Sequence, residues 1–148
     1  MASNKEIIPW AEARATARYH WIELENDYRK RGDSPVEDTE QQDAFQWADY
    51  NYPQVKIWHT VNEGDMKPQY RQKKQRHGLM AGVSDLLAFT ELSKYKLGAF
   101  EIKRQARRDS KLDRRQHDYL NYVADNGGFA ALCFGAPAFQ VAYKSFLR

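Results

Sequence analysis

Two acids and one lysine on neighbouring predicted strands are the residues of this sequence best suited to chemistry. Glu101 and Lys103 are two residues apart in an apolar segment, and side chains two apart in a strand point to the same face. Asp85 lies near the start of the preceding predicted strand. Paired strands lie about 4.8 Å apart, so a suitable register brings the carboxylates of Asp85 and Glu101 together over one Mg²⁺ or Mn²⁺ ion. Lys103 beside such an ion would orient a water or stabilise charge on a phosphate.

The same pattern also fits an ordinary surface strand, in which Glu101 pairs with Lys103 and Asp85 caps a turn. Two polar residues on predicted helices favour a site instead. Glu37 lies on the inward arc of one helix and Gln116 in the apolar stripe of another, and buried polar side chains need partners. Each has a simpler explanation, because Glu37 could only complete a capping box and Gln116 could only bind a sheet edge. Glu40, about 60° to one side of the arc, is the alternative to Glu37.

Periodicity and turn residues predict the elements that position these side chains. One long amphipathic helix is expected from Pro9 to Arg31, and a second from Ser34 to about Asn51, with Ser34, Pro35 and Glu37 as its capping box. Strands are predicted over residues 54–61, 83–90, 99–103 and 129–134. A helix is expected to start at Ser110 and Asp113, and a last one to cover residues 137–147, while residues 66–81 form a loop or a short exposed helix. The order α-α-β-β-β-α-β-α predicts an α/β fold, a mixed sheet flanked by helices.

Composition narrows the class of protein. A chain of 148 residues is expected to form one compact domain, and its single cysteine, Cys133, excludes an intrachain disulfide. We find neither a membrane-spanning apolar run nor a secretory signal pattern, so we expect a protein of the cytoplasm without a membrane partner. Residues 1–49 hold 11 acidic and 6 basic side chains, a net charge of −5, whereas residues 50–148 hold 9 acidic and 17 basic ones, a net charge of +8.

The basic part of the chain contains the predicted site, which favours a polyanionic partner such as nucleic acid. The alternative is a solvated surface with scattered cations. The candidate backbone-binding residues lie in two segments: Arg71, Lys73, Lys74 and Arg76 in the first, and Arg104, Arg107, Arg108, Lys111, Arg114 and Arg115 in the second. No base-reading motif is visible, so we expect a nucleic acid to be recognised by shape rather than by sequence.

Four segments form a combination more specific than any one of them. They are Glu37-x3-Gln41-x2-Ala44-Phe45-x-Trp47, Gly82-Val83-Ser84-Asp85, Phe100-Glu101-Ile102-Lys103, and Gln116 with the strand from Gly127 to Phe134. Together they resemble the VRR-NUC domain, the virus-type replication-repair nuclease branch of the PD-(D/E)xK superfamily, over residues 36–148. The resemblance implies a restriction-endonuclease-like α/β fold. It also divides the chain into an N-terminal helical extension, residues 1–33, and a VRR-NUC-like domain, residues 34–148.

The resemblance implies a divalent-metal-dependent endonuclease. Asp85, Glu101 and the Ile102 carbonyl would be the metal ligands, Lys103 the cation that orients the attacking water, and Glu37 and Gln116 the remaining site residues. Similar domains include the C-terminal nuclease of the Fanconi-associated nuclease and stand-alone phage proteins that look like dimeric resolvases of Holliday junctions. A stand-alone chain of this size fits the second kind, a homodimer acting on branched DNA in the cytoplasm of a bacterial host cell.

The expected reaction is in-line attack of a metal-activated water on a phosphodiester, which leaves 5′-phosphate and 3′-hydroxyl ends. Two alternative functions also fit the sequence. A nuclease of the same fold could cut flaps, ends or other duplex DNA. A non-catalytic DNA-binding module with a nuclease fold would bind DNA with a steep salt dependence and no metal requirement.

Overall fold

The computed structural model describes residues 6–28, 32–60, 67–78 and 80–148. The strands in these residues are β1 (Ile7–Ile8), β2 (His20–Ile22), β3 (Lys56–His59), β4 (Leu86–Phe89), β5 (Leu97–Lys103), β6 (Leu112–Asp113) and β7 (Phe129–Phe134). The helices are α1 (Trp10–Thr16), α2 (Glu37–Asn51), α3 (Pro68–Arg76), α4 (Arg114–Asp125) and α5 (Ala136–Phe146). A 3-10 turn covers Arg107–Asp109.

The predicted mixed sheet is confirmed. Five strands lie in the order β2-β7-β5-β4-β3, and the short strands β1 and β6 form a separate antiparallel pair. β7 is parallel to both β2 and β5, whereas β4 is antiparallel to β5 and β3. All six residues of β7 are buried, as expected for an apolar strand covered on both faces.

Helices cover both faces of the sheet and define two cores. On one face, α2 and α5 pack over Phe100 and Ile102 of β5. On the other face, α1 and α4 pack over Ala99 of β5 and Leu132 of β7. Glu101 and Lys103 share their face with Ala99, because side chains alternate along β5. The two charged residues therefore point toward α4, as the sequence predicted.

The prediction of one helix over residues 9–31 is wrong. α1 ends at Thr16, Ala17 is extended, and residues 20–22 form β2, which pairs in parallel with β7. The apolar spacing fits both structures, but β2 satisfies backbone groups along the edge of β7 that a helix would leave unpaired. Trp10 and Trp21 both contact the ring of Phe134, so the segment packs on the sheet from two elements. Residues 29–31, the predicted helix end, lie outside the described residues.

The predicted capping box of α2 is also wrong. The helix begins at Glu37 with Val36 as its N-cap residue, and its end at Asn51 agrees with the prediction. The hydroxyl of Ser34 instead donates to Asp109 Oδ2 at 2.6 Å. The Ser34 side chain therefore binds a residue that is distant in the sequence instead of capping α2.

The other elements differ from the predictions mainly at their ends. β3 is shorter than the predicted strand over 54–61, whose last residue lies outside the described residues. Within residues 66–81, where a loop or a short exposed helix was expected, α3 is a helix with no buried residue. None of the helices described is both long and apolar enough to cross a membrane.

Candidate active site

The β4–β5 hairpin places Asp85 beside Glu101. The antiparallel register pairs Leu86 with Phe100, so Asp85, one residue before β4, lies opposite Glu101. The backbone amide of Ile102 donates to Asp85 Oδ2 at 2.8 Å, which holds the Asp85 side chain against β5. The predicted meeting of these two acids across neighbouring strands is therefore present in the structure.

Lys103 and Gln116 extend this cluster toward α4. Lys103 Nζ donates to Gln116 Oε1 at 3.2 Å, and Gln116 Nε2 donates to Glu101 Oε2 at 3.1 Å. Lys103 Nζ lies 3.6 Å from Glu101 Oε2. Lys103 and Glu101 are almost fully buried, at 3% and 1% exposure. Gln116 thus orients both charged groups at once, with its amide donating to the acid and its carbonyl accepting from the lysine.

The start of α4 explains why Gln116 has this orientation. Asp113 is the N-cap residue, and its carboxylate accepts from the amide of Arg115 at 2.8 Å. Gln116 Oε1 in turn accepts from the Asp113 amide at 3.0 Å, which completes a capping box. The predicted helix start at Ser110 and Asp113 is right for Asp113 and wrong for Ser110. Gln116 therefore combines helix capping with contacts to the site.

Glu37 reaches the same cluster from the first turn of α2. Its Oε1 lies 3.8 Å from Lys103 Nζ and accepts a hydrogen bond of 2.9 Å from the hydroxyl of Ser110. Ser110 also accepts from the amide of Arg104 at 2.9 Å, so the hydroxyl joins Glu37 to the end of β5. The side chain of Glu37 is 44% exposed, which places it at the rim of the cluster.

Glu40 does not reach the cluster. It is buried, at 2% exposure, and its carboxylate accepts from the amide of Ala136 at 2.6 Å and from Gln105 Nε2 at 3.0 Å. Its negative charge thereby caps the N-terminus of α5. The sequence-derived arc of α2 is wrong at this end, because Glu40 and Ala44 are buried while Glu37 is partly exposed. Of the two acids, Glu37 is the one near Lys103.

The electrostatics of the cluster follow from burial and close charges. Burial, then the negative charge of Asp85, raises the pKa of Glu101 well above its usual range, against the opposing effect of Lys103. Burial alone would lower the pKa of Lys103, but the carboxylates of Glu101, Glu37 and Asp85 raise it. Lys103 therefore remains an ammonium ion at neutral pH. Three acids around one lysine leave an excess of negative charge when all of them are ionised.

A divalent cation fits this donor set. Glu101 Oε1 is buried and lacks a hydrogen-bond partner in the described chain, and carboxylate oxygens are the donors that Mg²⁺ and Mn²⁺ prefer. No group of three or more His, Cys, Asp or Glu side chains among the described residues is placed to hold a metal together. A metal would therefore depend on Asp85 and Glu101, with a backbone oxygen such as that of Ile102 and water completing its shell.

Comparison with known proteins agrees with this architecture. No protein-family model and no curated protein matches the chain. A solved structure described as a VRR_NUC domain protein superposes with a TM-score of 0.60, covering 77% of this chain and 89% of that chain at 20% sequence identity. The chain has the VRR-NUC fold. The fold implied by the sequence resemblance is confirmed.

In this VRR-NUC fold, the predicted DNA-binding residues fall into two groups. All five arginines of the second segment have protein partners: Arg104 with the carbonyls of Ser34 and Pro35, Arg107 with Glu23, Arg108 with the carbonyl of Tyr28, Arg114 with Glu6 and Glu12, and Arg115 with Asp113. Lys111 is exposed. The cations of α3, namely Arg71, Lys73, Lys74 and Arg76, form no ion pair with any residue that the structure describes. The α3 cations are thus the more available group.

Two residues near the candidate site were missed in the sequence. Ser110 was interpreted as a helix start, yet its hydroxyl holds Glu37. Tyr19 lies close enough to Glu101 for that charge to contribute, after burial, to its raised pKa, and its hydroxyl is 2.8 Å from His117 Nδ1. No local signal could have identified Tyr19, because its proximity depends on β2 joining the sheet.

Proposed function

We propose that this protein is a divalent-metal-dependent, structure-selective DNA endonuclease. One observation supports the proposal most: Asp85, Glu101 and Lys103 converge on one sheet face, with Gln116 and Glu37 supplied by two separate helices. Two adjacent acids with a buried lysine suit phosphodiester hydrolysis, which needs charge stabilisation and a positioned water. The VRR-NUC fold supports the same class of activity.

Asp85, Glu101 and the Ile102 carbonyl would hold Mg²⁺ or Mn²⁺. When bound, such an ion supplies Lewis acidity and lowers the pKa of water. Lys103 places a fixed positive charge beside the carboxylates, where it can orient a water or stabilise the phosphate. Gln116 keeps Lys103 and Glu101 in position, and Glu37, at the exposed rim, can accept a proton from water or orient it.

The DNA backbone would be bound by cations of α3 and of the segment that leads into α4. The α3 residues Arg71, Lys73, Lys74 and Arg76 are available for phosphates, and Lys111 is exposed near the start of α4. The arginines of residues 104–115 would have to leave an acidic side chain or a backbone carbonyl to bind a phosphate. Their alternative role is to hold the loop that carries Ser110 in place. Binding through these groups carries no base information.

The substrate in this proposal is branched DNA, with the Holliday junction as the leading candidate. A homodimer would present two sites to the two strands of a symmetric four-way junction. Cleavage by hydrolysis would leave 5′-phosphate and 3′-hydroxyl ends. The setting would be the cytoplasm of a bacterial cell.

The proposal is tested by incubating the protein with end-labelled four-way junction, flap and linear duplex DNA in Mg²⁺ or Mn²⁺. Wild-type protein should cut branched DNA, and a chelator should stop it. Lys103→Ala and Asp85→Ala should each lower the rate by at least about 100-fold, the scale of losing one preorganised charge at a reacting centre. Unchanged cleavage in either variant would contradict the site assignment.

A non-catalytic DNA-binding module is the competing function. The presence of both Glu101 and Lys103 in hydrogen-bonded contact with Gln116 favours an enzyme, because a binding module does not need buried opposite charges. Salt-sensitive binding with no cleavage of any DNA in either metal would favour the module.

A further inference from the structure

Trp58 differs from the other tryptophans of the chain. Trp10, Trp21 and Trp47 each contact other aromatic rings of the cores. Trp58 is 44% exposed and makes no such contact with any ring in the described residues. Packing against the described residues does not explain why so large a side chain is partly exposed to solvent.

The position of Trp58 relates it to the candidate site. β3 pairs with β4 so that Trp58 lies opposite Leu87, and the amide of Thr60 donates to the Asp85 carbonyl at 2.9 Å. Asp85, Leu87 and Trp58 therefore share the sheet face that carries Glu101. Diagonal neighbours on such a face have Cα atoms about 7–8 Å apart, within reach of an aromatic side chain. Trp58 is the diagonal neighbour of Asp85.

A second exposed ring extends this surface. Phe89, 56% exposed, lies two residues beyond Leu87 on the same face and is paired with Lys56 of β3. α4 covers β5 and β7, whereas Trp58 and Phe89, on the β3–β4 side of the face, are exposed. The surface formed by Trp58, Leu87 and Phe89 thus runs from the candidate site to the edge of the sheet.

The charge of Lys56 on this surface, and of the sequence that follows β3, favours a nucleic acid as its occupant. Residues 54–60 and 67–78 contain six lysines and arginines and no acid, and Glu63 and Asp65 lie in the six residues between them. A second copy of the chain bound through this face would bring Lys56, which is paired with Phe89, toward its own counterpart, which is unfavourable. A DNA strand brings phosphates to the cations and bases to the rings, because every base can stack on an aromatic side chain.

We propose that Trp58 stacks on an unpaired base next to the scissile phosphate, so that the preferred DNA carries unpaired nucleotides at its branch. This inference depends on the proposed function and narrows its substrate class. The ring selects for unpaired DNA because a base inside a duplex cannot offer its face without being unstacked. Flaps and splayed arms provide such bases directly, whereas a fully paired four-way junction has to open to do so.

The test measures DNA binding in EDTA, where no cleavage occurs. Splayed-arm DNA, a fully paired four-way junction and linear duplex are titrated into wild type, Trp58→Ala and Trp58→Phe. We expect Trp58→Ala to weaken splayed-arm binding about 5- to 100-fold and duplex binding less than about 2-fold, with Trp58→Phe in between because it keeps a ring. Tyr50→Ala removes an 87% exposed ring elsewhere and should change neither.

Fluorescence gives a second, independent readout. Oligothymidylate should quench tryptophan emission in wild type, and the quenched component should be missing in Trp58→Phe. Equal losses on splayed-arm and duplex DNA, or wild-type affinity in Trp58→Ala, would overturn the inference. So would a wild-type dimer that Trp58→Ala converts to monomers, because the face would then be a subunit interface.

The two proposals fail in distinguishable ways. Ring-dependent binding of unpaired DNA by a protein that never cleaves would contradict the nuclease and leave the stacking site intact. Metal-dependent cleavage of branched DNA by a protein whose binding ignores Trp58 would support the nuclease and overturn the stacking site.

Discussion

Glu101 is a buried acid and a proposed metal ligand, so its burial affects both the stability of the fold and the proposed function. Its carboxyl is buried, and its pKa is raised by that burial and by Asp85. A carboxyl whose pKa is raised on folding stabilises the folded state fully below its ordinary pKa, and this stabilisation is lost as pH rises through the folded value. Ionised Glu101 therefore destabilises the folded protein when no cation is present and would stabilise a bound cation.

Metal stabilisation should consequently depend on pH. At matched ionic strength, Mn²⁺ or Mg²⁺ should raise the melting temperature more at pH 8 than at pH 6, because the cation competes with a proton for Glu101. Differential scanning fluorimetry measures this directly. Asp85→Asn should abolish the shift. A shift of equal size at both pH values, or one retained in Asp85→Asn, would show that the cation binds elsewhere.

At the scale of elements, Glu40 joins three parts of the fold. It belongs to α2, caps α5 through the Ala136 amide, and binds Gln105 just beyond the end of β5. The backbone at Gly135 has φ +98°, and a Cβ there would lie 2.4 Å from Gln105 and 2.8 Å from Glu40. Glycine is required for this close approach. The junction also fixes the first turn of α2, which carries Glu37.

Removing Glu40 should destabilise the protein, although its carboxylate does not itself reach Lys103. We expect Glu40→Ala to lower the free energy of unfolding by about 2–3 kcal/mol, since it leaves a buried helix-terminal amide and an amide side chain without their charged acceptor. Gln42→Ala, an exposed change in the same helix, should cost less than about 0.5 kcal/mol. Urea denaturation compares the two. Equal stabilities would show that water replaces the lost acceptor.

The elements near the site could be predicted because their signals are local. The apolar run of residues 129–134, the hairpin that aligns Asp85 with Glu101, and the alternation that puts Glu101 and Lys103 on one face are all present. The local sequence could not show which of several possible partners a polar side chain contacts in the folded protein. Ser34 binds Asp109 rather than capping α2, and Ser110 holds Glu37 rather than starting α4. A serine near a helix start has several possible partners, and only the fold selects one.

At the scale of the whole molecule, the N-terminal segment is tied to the sheet and to α4. β2 extends the sheet beside β7, and His117 of α4 lies within hydrogen-bonding distance of both Tyr19 and Thr16, at 2.8 Å and 3.0 Å. Asn121 accepts from the amide of Arg18 at 2.7 Å. The sequence could not predict this, because the apolar spacing of residues 10–28 fits a helix as well as a short helix followed by a strand.

Because His117 is buried in these contacts, the free energy of unfolding should decrease in mild acid. Burial lowers the pKa of His117, so the unfolded chain binds a proton more readily than the folded one, and stability present above the ordinary pKa of about 6.5 is lost as pH falls through the folded value. Unfolding free energies between pH 7.5 and 5 should decline in wild type and decline less in His117→Gln. His20, whose pKa is also lowered, contributes to both proteins. Identical slopes would contradict a neutral buried His117.

The central claim is that buried Glu101 serves metal-dependent hydrolysis of DNA, and Glu101→Gln tests it most directly. This change keeps the shape of the side chain and replaces its carboxylate with a neutral amide. In single-turnover cleavage of labelled branched DNA with Mn²⁺, we predict a rate at least about 100-fold below wild type at unchanged DNA affinity. Glu91→Gln, an exposed change in the β4–β5 connection, should cleave like wild type. Cleavage by Glu101→Gln at the wild-type rate would contradict the account.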